Sequence, residues 1–283
     1  MVACLFALFF VACLVCASAF KLPVRARTGS ALGMSGKDVL YDVPVSNHGA
    51  RLRIIIKEKC IQDQVTIVSP TEIGGLKSSE YLKLNRQGKM PLYLSNGVYP
   101  IPDSDSIARF ILDKFSDKGP SFAPADIMQR SLSDQICRHM DMYISPIQGT
   151  VYKAPGTPYS VFGTDRKLGL AELKKQLLFL EQLLGTFEAQ FPDLSAGPYL
   201  CGSEISLADV YVFPTMVFLM FTLPQFFGWS TDEYLGPRLQ KWWQFMTTEV
   251  ASTKEVFEEM EGALNAWKSN GRWDPIVEEM KGK

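Results

Sequence analysis

The fold is indicated first by residues 92–101, which read Leu-Tyr-Leu-Ser-Asn-Gly-Val-Tyr-Pro-Ile. Two short runs of β-forming residues flank Asn96-Gly97, and Asn-Gly is a strong short-range signal for a two-residue hairpin turn. The segment from Ser104 to Phe115 follows directly and carries its apolar residues on one helical face. This part of the sequence therefore predicts a β-hairpin followed by a helix.

The sequence before the hairpin predicts a β-α-β unit. Val39 to Val45 is rich in β-forming residues, Arg51 to Lys59 has a helical apolar pattern, and Val65 to Val68 forms a second apolar run. A connecting segment then leads to the hairpin. The resulting order, β-α-β followed by β-β-α, predicts a small mixed sheet covered by helices, as in thioredoxin-like α/β domains.

The chain changes character after a linker at residues 116–124, which contains Gly119, Pro120 and Pro124. Strand signals stop there, and the remaining pattern is helical. Helices are predicted at residues 126–143, 170–191, 206–221, 237–247 and 254–267. We therefore predict a leader at residues 1–37, a thioredoxin-like domain at residues 38–116 and an all-helical domain at residues 124–283.

The predicted leader has two parts. Residues 2–20 contain no charged residue and end in the small-x-small pattern Ala17-Ser18-Ala19, which suits signal peptidase. Residues 21–37 are basic and contain no acid, a composition typical of transit peptides. The combination resembles the two-part leaders of algae with complex plastids, and it predicts a plastid protein whose mature form is not embedded in a membrane. A plain secretory or endomembrane signal and a membrane anchor are the alternatives.

Composition excludes several classes of partner. The 283-residue chain has a net charge of −1, and its first 37 residues hold four basic residues and no acid, so the remainder is more acidic still. A mildly acidic body gives no electrostatic basis for binding nucleic acid. Only three of the six cysteines lie beyond the leader, widely spaced, and the chain has two histidines. This pattern predicts neither a disulfide framework nor a metal centre.

Three motifs carry a family resemblance. Residues 77–91 read Lys-Ser-Ser-Glu-Tyr-Leu-Lys-Leu-Asn-Arg-Gln-Gly-Lys-Met-Pro, residues 103–107 read Asp-Ser-Asp-Ser-Ile, and residues 199–209 read Tyr-Leu-Cys-Gly-Ser-Glu-Ile-Ser-Leu-Ala-Asp. In this order they resemble motifs of the soluble glutathione transferases, and the match runs from about residue 38 to at least residue 209. The chain departs from the family pattern at Arg86, where proline is usual, at Met90 for valine, and at Asp103 for glutamate.

The resemblance implies a thioredoxin-like domain followed by an all-α domain, glutathione as co-substrate, no metal, and a homodimer. It implies an enzyme that conjugates the glutathione thiolate to a small apolar electrophile. One alternative is a zeta-like isomerase that uses glutathione on a small unsaturated acid. Another is a non-catalytic protein that keeps the fold as a binding or assembly module.

Ser46 is the candidate residue for activating the glutathione thiol. It lies between the first predicted strand and helix, and together with Arg51 and Arg53 it has the spacing of zeta-like, serine-type transferases. A hydroxyl donor at a helix N-terminus favours a thiolate. A serine there can also be a plain helix cap. Tyr41 is the rival, because tyrosine-type members carry their phenol at the end of this strand.

The resemblance also implies the residues that bind glutathione. A cis peptide bond before Pro91 would turn the backbone of Met90 toward the cysteinyl unit. Asp103 would accept from the γ-glutamyl amine, Ser104 would bind a carboxylate with its hydroxyl and N–H, and Lys77 would pair with the glycine carboxylate.

Other prominent residues are given structural roles. Ser206 and Asp209 form the Ser-x-x-Asp pattern of a capping box before an apolar run. Tyr143, Tyr152 and the Trp242-Trp243 pair could line an acceptor pocket or pack in the core, and core packing is the preferred interpretation because aromatic side chains at helical positions usually pack inside. We expect both groups to stabilise the helical domain.

Overall fold

The first part of the described chain forms a four-stranded sheet. The computed structural model describes residues 36–158 and 163–282. The strands are β1 (Asp38–Tyr41), β2 (Val65–Val68), β3 (Leu92–Ser95) and β4 (Tyr99–Pro102), in the order β2-β1-β3-β4. Strand β1 pairs parallel with β2 and antiparallel with β3, which pairs antiparallel with β4. Asn96 and Gly97 both have positive φ, as a two-residue hairpin turn of this kind requires.

Helices cover both faces of this sheet. Helices α1 (Asn47–Glu58) and α3 (Ser104–Lys114) pack with Leu40 and Tyr93 in the main core, while the short α2 (Ser79–Leu84) belongs to a second, smaller core. That second core contains Tyr41, because successive side chains of a strand point to opposite faces.

The rest of the described chain is helical. Its α-helices are α4 (Ile127–His139), α5 (Arg166–Gln190), α6 (Pro192–Ser195), α7 (Leu207–Phe227), α8 (Pro237–Thr248), α9 (Ala251–Ser269) and α10 (Asp274–Lys281). A π-helix, Met140–Ile144, continues α4, and short 3-10 helices lie at Pro70–Ile73, Gln148–Val151 and Thr231–Glu233. The predicted order of a thioredoxin-like α/β region followed by an all-helical region is confirmed.

Helix α7 is the centre of the helical region. It is long and apolar enough to cross a membrane, but 89% of its most apolar window is buried inside the protein. Its N-terminus carries the predicted capping box of Ser206 and Asp209, and both residues are fully buried. Helix α7 also packs against α1, so the helical region and the sheet region share one continuous core.

The predicted elements differ from the structure at several ends. The first strand stops at Tyr41 and not at Val45, because the Ser46 N–H bonds to the Val43 carbonyl in a turn (2.9 Å). Helix α1 therefore begins at Asn47, four residues before the predicted start. Helices α2, α6 and α10 were not predicted. The predicted leader, residues 1–37, falls outside the described residues except for its last two, and the two predicted domain ranges stay predictions.

Candidate active site

Strand register brings three predicted site segments to one edge of the sheet. Tyr41, the last residue of β1, pairs with Leu92, the first residue of β3, and Leu92 pairs with Pro102, the last residue of β4. The turn after β1, the segment before β3 and the turn after β4 therefore lie side by side. These three segments carry Ser46, Met90 and Pro91, and Asp103 and Ser104 respectively.

Ser46 occupies the N-terminus of helix α1. Its backbone is extended, and its hydroxyl oxygen accepts from the Gly49 N–H at 3.1 Å, so the serine is the N-cap. The side chain is half-buried, so a ligand can reach it from the sheet edge. None of the residues in the first turn of α1 is itself acidic, and the backbone N–H groups there carry the positive end of the helix dipole. Both features suit a bound thiolate.

Tyr41 points into a different part of the protein. Its ring contacts that of Tyr81 edge-on, with centroids 6.0 Å apart, and it belongs to the small core on the sheet face opposite α1. Only 9% of Tyr41 is exposed. The structure therefore separates the side chain of this rival from the N-terminus of α1.

The segment before β3 has the geometry that the resemblance implied. The Met90–Pro91 peptide bond is cis. The preceding carbonyl, that of Lys89, accepts from the Tyr81 hydroxyl and from the Asn85 amide, each at 2.8 Å. Two side chains of the α2 region thus fix the backbone that leads into Met90.

Lys77 lies beside the same segment. A Cβ placed on Gly88 would come within 3.0 Å of the Lys77 ammonium nitrogen, so the ammonium group lies against the backbone three residues before Pro91. Lys77 is exposed. Its charge is therefore available to an anionic ligand at the sheet edge.

Asp103 and Ser104 form the start of helix α3. Asp103 is exposed, has a φ of 76°, which is uncommon for a residue with a side chain, and accepts from both the N–H and the hydroxyl of Ser106. Ser104 is only 4% exposed, and its hydroxyl lies 3.4 Å from both the Arg51 guanidinium and the His48 ring nitrogen Nδ1. The Ser104 hydroxyl thus faces α1, while its N–H belongs to the helix start, where anions bind well.

Asn47 ties this edge to the helical region. Its amide donates to the Gln148 side chain at 2.6 Å and to the Thr215 hydroxyl of α7 at 3.4 Å. The residue next to Ser46 is thereby held by two elements of the helical region. The position of the Ser46 turn consequently depends on packing between the two halves of the protein.

Comparison with known proteins decides the family. Residues 40–119 match the family model described as glutathione S-transferase, N-terminal domain, and residues 165–244 match that of the C-terminal domain. The chain belongs to the soluble glutathione transferase superfamily. It is 29% identical over 180 residues to glutathione S-transferase 1 of Dianthus caryophyllus, an alignment that covers 63% of this chain and 75% of the relative.

Solved structures of the superfamily share the fold. Glutathione transferase F2 from Populus trichocarpa aligns with a TM-score of 0.59 at 21% identity, covering 80% of this chain and 99% of that one. A maleylacetoacetate isomerase from Methylobacterium extorquens AM1, solved with bound malonate and GSH, aligns with the same TM-score at 17% identity, covering 78% and 97%.

The surroundings of Arg51 and His48 become clear only in the structure. Arg51 is 1% exposed, its guanidinium bonds to Asp141 of the π-helix at 2.8 Å, and it lies 3.9 Å from the centre of the Tyr211 ring. Burial, together with the positive charges of Arg51 and Lys89, lowers the pKa of His48 to about 3. His48 is therefore neutral at physiological pH. It lies in the first turn of α1.

The structure also bears on possible metal ligands and on the cysteine thiols. Within residues 36–158 and 163–282, no group of three or more His, Cys, Asp or Glu side chains is placed to hold a metal ion. Cys137 and Cys201 are buried, and burial raises the pKa of the Cys201 thiol to about 12. A thiol with so high a pKa is protonated at neutral pH and is a poor nucleophile.

Proposed function

We propose that this protein conjugates the thiolate of glutathione to small apolar electrophiles, with glutathione bound at the edge formed by β1, β3 and β4. The observation that carries the proposal is the half-buried Ser46 hydroxyl at the N-terminus of α1, beside the segments of Pro91 and Ser104. Lys77 would pair with the glycine carboxylate, and the Met90 backbone would bind the cysteinyl unit. Asp103 and the Ser104 N–H would hold the γ-glutamyl end.

The chemistry requires a thiolate at neutral pH. An unperturbed thiol has a pKa of about 8.5, and each unit by which the site lowers it corresponds to about 1.4 kcal/mol of preference for the thiolate. The Ser46 hydroxyl would donate to the sulfur, and the N-terminus of α1 supplies a positive potential. The thiolate then attacks the electrophile, forming a carbon–sulfur bond as the leaving group departs with its electron pair, or as a double bond takes up the charge.

A titration of glutathione into the purified protein tests the assignment of Ser46. We expect the wild type to bind glutathione and to lower the thiol pKa, measured by thiolate absorbance against pH. Ser46→Ala should bind glutathione without lowering the pKa. Ser230→Ala, which removes a serine that caps a helix in the helical region, should behave like the wild type. If Tyr41→Phe and not Ser46→Ala abolishes the shift, the rival residue activates the thiol. A wild type that does not bind glutathione refutes the proposal.

A zeta-like isomerase is the second candidate, because Ser46, Arg51 and Arg53 keep the serine-type spacing. In the structure, however, Arg51 pairs with Asp141, and Arg53 pairs with Asp42 at 2.6 Å and with Glu259 at 3.1 Å. Arg51 and Arg53 are only 1% and 4% exposed, and each already forms an ion pair with a carboxylate of this chain, which favours conjugation. Faster isomerisation of a small unsaturated acid than conjugation of a halogenated nitrobenzene would reverse this preference. Glutathione binding without either reaction would indicate a non-catalytic module.

We further propose that the protein forms a homodimer through a groove between α4 and α5. The groove has a volume of about 720 Å³, and it is lined by His139, Tyr143 and Phe179, among others. Tyr143 and Phe179 are each 50% exposed, and their ring centroids lie 5.5 Å and 5.2 Å from that of His139. Tyr99 on β4 offers a second exposed apolar surface, at 68% exposure. Exposed apolar surface of this kind marks sites of protein–protein contact, and a second copy of the chain would bury it.

Analytical ultracentrifugation tests the dimer. The wild type should sediment as a dimer, and Phe179→Glu should shift it to the monomer because a charge would enter the groove. Leu168→Glu is the matched control, since Leu168 is also an exposed apolar residue of α5 but lies outside the groove. A monomeric wild type, or equal dissociation by both variants, would count against this interface.

The plastid location remains a proposal from the leader sequence alone. Residues 1–37 fused to a fluorescent protein should direct it into the plastid of an alga with complex plastids. Deleting residues 21–37 should leave the fusion in the secretory pathway. Secretion of the full fusion would favour the plain signal, and retention in the endoplasmic reticulum membrane would favour the anchor.

A further inference from the structure

Asp42 lies directly behind the Ser46 turn. It follows strand β1, its N–H donates to the Val68 carbonyl at 2.9 Å, and its side chain is completely buried. Its carboxylate packs against Gly49 so closely that a Cβ on this glycine would fall 1.7 Å from Oδ1. Gly49 is also the residue whose N–H donates to the Ser46 hydroxyl oxygen. Asp42 and Ser46 therefore both contact Gly49 in the first turn of α1.

The two oxygens of Asp42 have different surroundings. Oδ2 accepts from Arg53 at 2.6 Å. Oδ1 has no donor in hydrogen-bonding geometry among the described residues, although the Val43 N–H and the Ser46 hydroxyl lie near enough to act on the carboxylate. Arg53 is held in turn by the Val43 and Pro44 carbonyls and by Glu259 of α9. One carboxylate oxygen is thus committed to a fixed ion pair, while the other is a buried acceptor without a donor, which is rare in folded proteins.

We propose that Asp42 receives, through the Ser46 hydroxyl, the proton that glutathione loses when its thiol becomes a thiolate. The proposal rests on the proposed function, because it requires that glutathione binds at Ser46. In the step, the S–H bond breaks and its proton bonds to Ser46 Oγ, while the proton that Ser46 carried passes to Oδ1 of Asp42. The negative charge moves from Asp42 to the sulfur, and no other reactant is needed.

The electrostatic surroundings of Asp42 suit a proton acceptor. Burial raises the pKa of Asp42 to about 6, and this rise is opposed by the charge of Arg53, by the Val43 N–H and by the Ser46 hydroxyl. Glu259 and Tyr81 are the other titratable groups that act on it. The carboxyl is therefore largely ionised at pH 7 yet binds a proton far more readily than an ordinary aspartate. Proton transfer is most effective when the two groups have similar pKa values.

Protonation of Asp42 would also help the thiolate directly. Two negative charges close together in a partly buried site repel each other, so an ionised Asp42 would oppose formation of the thiolate. Transfer of the proton removes one of these charges as the other appears. Asp42 is thereby a positioning and proton-accepting residue that acts on the substrate through Ser46.

The test counts the protons released when glutathione binds. Calorimetry at pH 7.5 in two buffers of different ionisation enthalpy gives the number of protons released, and absorbance gives the number of thiolates formed. The wild type should form thiolate while releasing far less than one proton per thiolate. Asp42→Asn cannot accept the proton, so any thiolate that it forms should release one proton each. Glu259→Gln, which removes the other acid of Arg53, should keep the wild-type count.

The outcomes separate this inference from the proposed function. A wild type that releases one proton per thiolate overturns the role of Asp42 while leaving the transferase intact, and it does so even if Asp42→Asn fails to fold. Thiolate formation in Asp42→Asn with no proton release overturns it too. A wild type that binds no glutathione, or forms no thiolate on binding it, refutes the proposed role of Ser46 and this inference together.

Discussion

Two helices of this protein begin at a serine with a buried aspartate beside it, and the two aspartates differ in how their oxygens are bonded. At the start of α7, Asp209 accepts from the Leu200 N–H, the Trp242 indole, and both the N–H and the hydroxyl of Ser206, all at 2.8–2.9 Å. At the start of α1, the Asp42 carboxylate accepts from Arg53 at Oδ2, and its Oδ1 has no partner in hydrogen-bonding geometry within the described chain.

The difference separates a structural helix start from a functional one. Every acceptor site of Asp209 is directed at a fixed donor, and the group is sealed from water, so it can only hold the helix in place. Around Asp42 one acceptor is left over, and the neighbouring Ser46 remains within reach of a ligand. Of the two aspartates, it is Asp42 that has an oxygen still able to accept a hydrogen bond or a proton.

The largest effect on stability is expected at the start of α7, where both carboxylate oxygens of Asp209 accept hydrogen bonds. Asp209→Ala would leave four buried donors without an acceptor, so the free energy of unfolding should fall by more than about 3 kcal/mol. Urea denaturation measures it. Asp126→Ala is the control, because Asp126 caps α4 through two N–H groups but is only half-buried, and its loss should cost about 1 kcal/mol. Equal losses of stability would mean that the four hydrogen bonds of Asp209 stabilise the protein no more than the two of Asp126.

The same comparison shows what the sequence could predict. The capping box of Ser206 and Asp209 was found because its two residues are three apart and interact within one turn. The role of Asp42 was missed, because its contacts with Gly49 and Arg53 arise only when α1 folds back against the end of β1. Local patterns are readable in the sequence, whereas a vacant acceptor depends on tertiary packing.

Other outcomes follow the same rule. The strand and helix order was predicted from periodicity, whereas α2, with six residues, is too short to show a period. Tyr152 and Trp242 pack in the core as expected, but Tyr143 is half exposed. Tyr143 lies in the π-helix that continues α4, and a π-helix changes which residues face inward relative to an α-helix. Nothing in the sequence pattern signals that change.

The next largest effect concerns the pH dependence of stability. The folded-state pKa of Asp42 is raised from 3.8 to about 6, so the protonated form favours the folded protein. This contribution is fully present below the unfolded value and is lost as the pH rises through about 6. Asp42→Asn does not titrate at this position. The stability of the wild type relative to Asp42→Asn should therefore fall by up to about 3 kcal/mol between pH 4 and pH 7.

Denaturation of both proteins across this pH range provides the measurement, and all other titrating groups cancel in the difference. A difference that does not vary with pH would show that Asp42 titrates as an ordinary aspartate. A difference that changes in the opposite direction would show that Arg53 outweighs burial and holds the pKa of Asp42 low. Either result would indicate that Asp42, like Asp209, has a structural role.

The smallest effect separates close packing from helix propensity at two glycines. Gly49→Ala places a methyl group on the Asp42 carboxylate, so we expect a loss of about 1–3 kcal/mol in stability and, because the turn must move, a weaker shift of the glutathione thiol pKa. Gly185→Ala in α5 is the matched control, since nothing lies within 4 Å of its added Cβ. Alanine should stabilise that helix by about 0.5–1 kcal/mol and leave the thiol pKa unchanged. If Gly49→Ala is as harmless as Gly185→Ala, the Asp42 carboxylate can move aside freely, and its contact with the Ser46 turn does not constrain the site.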